Sequence, residues 1–191
     1  MTLAFKGFAE IERGFRQVAV ATARGEARAV RRTGVTIVAN QSRAIAQIAN
    51  MKIGAIKAQL VTKTQPTPDR PRVVFEVKSK GIPLKEFNGT RQTKKGVSVQ
   101  VLKSQPRQTL RAAFGVAKFS SNYFGRVGVG RKDYASPHVG RLPIKKLYGP
   151  SVLSQYVKEP IQAAGRNTWN DRLPVELDRE TAFALKKAGL I

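Results

Sequence analysis

The sequence predicts an α+β fold: long N-terminal helices, a central, mostly antiparallel sheet of about four strands with basic loops, and C-terminal helices. Three observations carry that expectation. Apolar residues recur at helical spacing through the first 60 positions, the period falls to two after a cluster of prolines, and helical spacing returns from residue 151. Phe8, Ile11, Phe15 and Val18 lie on one stripe, which predicts a helix over 5–18. Ala23, Ala27, Val30, Ile37, Val38, Ile45 and Ile48 extend the pattern to Asn50 as one long helix, with Gly25 and Gly34 as weak points and a kink expected at Gly34. Ile53, Ile56 and Leu60 suggest a further short helical stretch, and Pro66, Pro68 and Pro71 end helical structure.

Beyond the prolines, Val73, Phe75 and Val77 alternate with Val74, Glu76 and Lys78, and Val97, Val99 and Val101 with Ser98, Gln100 and Leu102. Leu110 to Phe119 and Tyr123 to Arg131 continue the β character, with glycines at 125, 128 and 130 for bulges or turns. Helical spacing resumes at Leu153, Tyr156 and Val157, and a last helix is expected from Pro174 to Leu190. The regions are therefore 1–61 helical, 62–71 a proline-containing linker, 72–150 a basic sheet and 151–191 helical, together one compact domain with a helical appendage.

Charge is the unusual quantity. The 191 residues hold 35 Lys and Arg against 12 Asp and Glu, a net +23, far more than solubility requires. Residues 87–158 carry 14 basic side chains and one acidic, so the sheet region is the basic one. A polyanion or an acidic protein surface is the expected partner. With no cysteine, disulfides, thiolate zinc sites and cysteine nucleophiles are excluded. No run approaches the ~18 apolar residues of a membrane helix, and the N-terminus lacks the pattern of a signal peptide, so no membrane association is expected.

Catalysis finds little support. His138, with Asp133 five residues earlier, sits in a Ser-Pro loop as surface decoration, and no carboxylate cluster suits a metal nuclease. GRVGVGRK resembles a phosphate-binding loop only superficially. No catalytic residue, metal or cofactor is expected. Two basic groups are candidates for contact with DNA or an acidic partner. Arg91, Lys94 and Lys95 lie in the loop NGTRQTKKG, where solvated charge is the competing explanation. Arg24, Arg28, Arg31 and Arg32 sit three or four apart on the long helix; like charges at that spacing repel unless an acidic neighbour or a phosphate offsets them. Phe119, Tyr123, Phe124 and Tyr134 near Lys118, Arg126, Arg131 and Lys132 suit either base stacking or a sheet core.

RLPIKKLYGPSV, from Arg141 to Val152, resembles the segment before the C-terminal helix in the minor tail protein Z family of tailed bacteriophages. VSVQVLKSQPRQTLRAAFGVAKF resembles that family's strand, basic turn and second strand, and NDRLPVELDRETAFALKKAG resembles its ending, where an RLP turn precedes the last helix. The signature residues are Leu142, Pro143, Ile144, Leu147, Tyr148, Gly149, Pro150 and Ser151, with Gly149 to Ser151 expected to break a strand and start the next helix. The resemblance implies a non-enzymatic virion protein at the head-proximal end of the tail, assembled in the host cytoplasm as a ring of copies of itself, a hexamer by resemblance, through which DNA passes. It implies tail terminator, tail tube or connector proteins as neighbours, with DNA in the channel as a further partner. The loop after Gly96 lacks the dense arginine run of some relatives, which weighs against a loop that grips DNA. Acidic neighbouring rings are the expected partners of the helix arginines, and the loop's partner stays open. The alternative is an RNA-binding ribosomal or ribosome-associated protein, against which stand the Ala/Val/Ile-rich helix and the lack of Lys-rich tails.

Overall fold

The computed structural model describes residues 8–116, 122–126 and 144–190. Over these residues the order is helix, strands, helix, an α+β fold. α1 (Phe8–Ile48) is followed by the short α2 (Ile53–Lys57), ten strands and a 3₁₀ turn at Leu84–Glu86, then α3 (Leu153–Tyr156) and α4 (Glu159–Lys187). Among the described residues the strands form two two-stranded and two three-stranded sheets rather than a single sheet of about four.

The helices are longer than their local signals. α1 runs unbroken through Gly25 and Gly34. A Cβ on Gly25 would lie 2.8 Å from Thr181 Cα, and one on Gly34 would lie 3.2 Å from the Val73 side chain. The glycines therefore admit close neighbours, which offsets the ~1 kcal/mol that each costs a helix interior. α4 begins at Glu159, not at Pro174, so the RLP turn expected there is helical. Pro174 is exposed, and contacts of α4 with α1 on both sides of it, at Thr168 and Thr181, carry the helix past the missing N–H.

The chain forms two compact units. The first takes in Met1–Asn40, Thr62–Glu76 and Ala163–Ile191. In it α1 and α4 run antiparallel: Gly25 meets Thr181, Arg28 and Arg32 meet Glu180, and Asn40 Nδ2 donates to Thr168 Oγ1 at 3.0 Å. Small buried residues, Ala21, Ala27, Ala29, Val30 and Thr33 on α1 and Ala184 on α4, make up its core together with Ile37. The segment 62–71, expected as a linker, belongs to an arm of two paired strands, β1 (Leu60–Thr64) and β2 (Val74–Val77). Thr67 and Arg70 exchange backbone hydrogen bonds at 3.0 and 3.1 Å across its turn, while the prolines interrupt the ladder between. Leu60, expected on a helix, opens β1.

The second unit takes in Gln41–Val61 and Val77–Gln162. Phe87, Ile45, Met51, Ile56, Ile82, Ile161, Val97 and Val152 are fully buried there. Asn50 holds the end of α1 into the sheets: its N–H donates to Val101 O, its C=O accepts from Asn88 N–H, and its carboxamide donates to Asn88 O and Gln100 O. β3 (Gly81–Pro83) pairs with β10 (Tyr148–Ser151). β4 (Arg91–Thr93), β5 (Gly96–Val99) and β6 (Gln108–Leu110) make one three-stranded sheet; β7 (Ala113–Val116), β8 (Asn122–Arg126) and β9 (Ile144–Lys146) make the other.

Candidate functional site

The helix arginines do not act as a set. Arg28 Nε lies 3.2 Å and Arg32 Nε 2.8 Å from the two carboxylate oxygens of Glu180, whose side chain is 5% exposed. Arg179 approaches the same carboxylate at 3.4 Å, and the Arg28 guanidinium lies 5.1 Å from the centroid of the Phe183 ring. The acidic neighbour that relieves like-charge repulsion is thus, for Arg28 and Arg32, a residue of the same chain. Arg24 and Arg31 are exposed and have no acidic partner among the described residues. With Pro66 and Pro68 they line a shallow pocket of about 280 Å³.

A larger groove lies between α1 and the last turns of α4, with a volume of about 520 Å³. Arg13, Arg16, Arg24, Arg28 and Lys187 surround it, over Val20, Ala21, Ala184 and Ala188. Local sequence hid this site, because Lys187 is more than 150 positions from the arginines it joins.

The loop cations sit on the β4–β5 hairpin. Arg91 opposes Ser98, Thr93 opposes Gly96, and Lys94 and Lys95 form the two-residue tip. All three are exposed. Thr93 Oγ1 donates to Gly96 O at 2.8 Å, and Gly96 takes φ +126° with its α-carbon against Leu110 O, a place no side chain fits. Register on β6 brings the exposed Arg111 beside Gly96, adding a fourth cation that sequence spacing gave no reason to include. Arg107, by contrast, donates to Gly89 O at 2.6 Å and is engaged in the fold. The second unit holds 20 of the 35 basic residues but only 3 of the 12 acidic ones, so the hairpin belongs to a strongly basic unit.

The described part of the signature is structural. Ile144 belongs to β9, and Leu147 N–H donates to Tyr123 O at 2.9 Å. Tyr148, Gly149, Pro150 and Ser151 form β10, so Gly149 and Pro150 do not end the strand but sit at a register shift in its pairing with β3, between Tyr148 and Ser151. The reason is the Phe87 ring: a Cβ on Gly149 would lie 2.5 Å from it, so the bare backbone packs on a buried aromatic face. The helix begins later, at Leu153, where Ser151 Oγ accepts from Ser154 N–H at 3.4 Å. Leu142 and Pro143 lie outside the described residues, as do His138, Asp133, Lys118, Phe119, Arg131, Lys132 and Tyr134. Of the aromatics within them, Phe124 meets Phe114 at 6.4 Å between ring centroids and Tyr123 Oη donates to Thr90 O, contacts that pack the sheet.

Among the described residues no three or more His, Cys, Asp or Glu side chains gather to hold a metal ion, and no helix is long and apolar enough to cross a membrane. Compared with known proteins, the chain matches no family model, no curated protein and no solved structure.

Proposed function

We propose that this chain is a non-enzymatic virion protein, a tail completion or minor tail subunit that joins copies of itself in a ring at the head-proximal end of a phage tail. The observation that carries the reading is the segment LPIKKLYGPSV, which resembles the minor tail protein Z signature and whose described residues do the work of a scaffold: two strand pairings, a glycine against Phe87 and the start of a helix. A signature of that kind marks a shared fold and assembly, not shared chemistry. Two further features support assembly. Ile11, Phe15 and Val18 form an apolar stripe that the chain itself leaves open, Phe15 being 72% exposed. The electropositive second unit suits a channel that carries DNA or a seat on acidic neighbours.

The test is removal of the chain from a cell that produces the particle. Full heads and tails that lack the head-proximal ring and fail to join, restored by supplying the chain in trans, are the expected result, with the protein found in rings by electron microscopy of purified parental tails. Normal particles together with co-purification of the chain on ribosomes would reverse the reading in favour of RNA binding.

A further inference from the structure

We infer that the groove between α1 and α4 is a docking site for an amphipathic acidic helix of a partner protein. Arg13, Gln17, Val20, Arg24 and Arg28 follow 4, 3, 4, 4 spacing, which sets them in one line along α1, and Ala184, Lys187 and Ala188 form the facing wall on the last turns of α4. From Arg13 to Arg28 the line measures about 22 Å at 1.5 Å per residue, the length of roughly four helical turns.

Only part of the charge around this groove is spent internally. Arg16 pairs with Glu12 and Arg28 with Glu180, while Arg13, Arg24 and Lys187 have no acidic partner among the described residues. The floor is apolar, with Val20 half exposed between the alanines. This combination selects the ligand. A small anion such as phosphate needs converging donors, and these cations are strung out over four turns. Duplex DNA supplies charge but no apolar surface for Val20 and the alanines to bury. An acidic helix supplies both: an apolar stripe for the floor and carboxylates at i, i+3 and i+4 on its flanks for the cations, arginine forming bidentate pairs. Arg24 and Arg28 also line the separate pocket with Arg31, Pro66 and Pro68, which offers a longer partner helix further cationic contacts.

This site stands independently of the tail assignment, and its test requires no particle. Binding to the full chain is measured by fluorescence anisotropy at 150 mM salt with three labelled probes. One is an 18-residue peptide with leucines at i, i+3, i+4 and i+7 flanked by glutamates, one is the same composition scrambled to destroy the apolar face, and one is an 18-base-pair DNA duplex. The patterned peptide is expected to bind at least tenfold more tightly than the scrambled one. The triple variant Arg13→Glu, Arg24→Glu, Lys187→Glu should weaken it at least tenfold while DNA affinity changes less than threefold. Val20→Asp, a single change at an exposed position that leaves the fold's core intact, should weaken the patterned peptide alone. Equal binding of the two peptides, loss of DNA and peptide binding in parallel, insensitivity to Val20→Asp, or no peptide binding at all would each overturn the inference.

Discussion

Replacing Glu180 tests the electrostatic centre of the first unit. Its carboxylate is 5% exposed, whereas the side chains of Arg28 and Arg32 that pair with it are 37% and 57% exposed. Removing either side of the arrangement therefore has unequal cost. In Glu180→Gln the Arg32 guanidinium reaches water while Arg28 Nε stays buried without a hydrogen-bond partner, so the loss is that of charge-assisted contacts only partly screened by solvent, about 2 kcal/mol. In Arg28→Met with Arg32→Met the carboxylate stays buried with Arg179 as its remaining close cation, and the loss rises to about 3–5 kcal/mol. For a chain of this size each kcal/mol lowers Tm by roughly 2–4 °C, so the two variants should fall by about 4–8 °C and 6–20 °C. Adding Glu180→Leu to the double variant should recover most of the loss, because no buried charge is then left unpaired. Circular dichroism at 222 nm followed through thermal and urea unfolding reads all three. A double variant no less stable than Glu180→Gln, or stabilities that converge with the parent's in 1 M salt, would show that the carboxylate is hydrated and that the reasoning from burial is wrong.

Gly149→Ala should cost about 1–3 kcal/mol, since its methyl would meet the buried Phe87 ring, and the added Phe87→Leu change should recover part of it; both are read by urea denaturation. Ile37→Asp places a carboxylate in the core of the first unit and should abolish cooperative unfolding, while Phe15→Asp, on the open stripe, should leave the melt within 1 °C of the parent and reduce self-association in sedimentation. Changing Arg91, Lys94 and Lys95 together to Ala should lower the salt slope of DNA binding by about 3 if each meets a phosphate, with unchanged incorporation into tails. A slope that stays put with incorporation reduced would assign the hairpin to an acidic protein surface instead.

Periodicity in the sequence carried the fold class: the stripe through Ala27, Val30, Ile37 and Ile45 and the alternation at Val97 and Val99 mark faces that the structure buries, while Ile11, Phe15 and Val18 are as periodic but stay exposed. It failed where tertiary contact overrides local preference. Gly25 and Gly34 weaken an isolated helix, and only the approach of Thr181 and Val73 reveals them as contact points within a continuous one. Pro174 marks a helix start when read alone, yet α4 is held on both sides of it. The strands β3 and β4 have three residues each, too few to show an alternation. Of the candidate residues, the hairpin cations were legible because glycine and polar residues announce a loop. The arginine stripe was legible as a stripe but not as two populations, since the partner of Arg28 and Arg32 lies in the last helix. Arg111 and Lys187 join their clusters through sheet register and helix pairing, which no local window contains.

The pairing of α1 with α4 also has a consequence in time. Asn40 and Thr168 are 128 residues apart, and synthesis at about 5–20 residues per second separates their appearance by roughly 6–26 s. Throughout that interval α1 exists without the helix that covers its small-residue face. During it Arg24, Arg28, Arg31 and Arg32 stand together on α1 with no acid from α4 beside them, because Glu180 has not yet been made. The stripe that ends half neutralised thus begins with none of its charge met by α4.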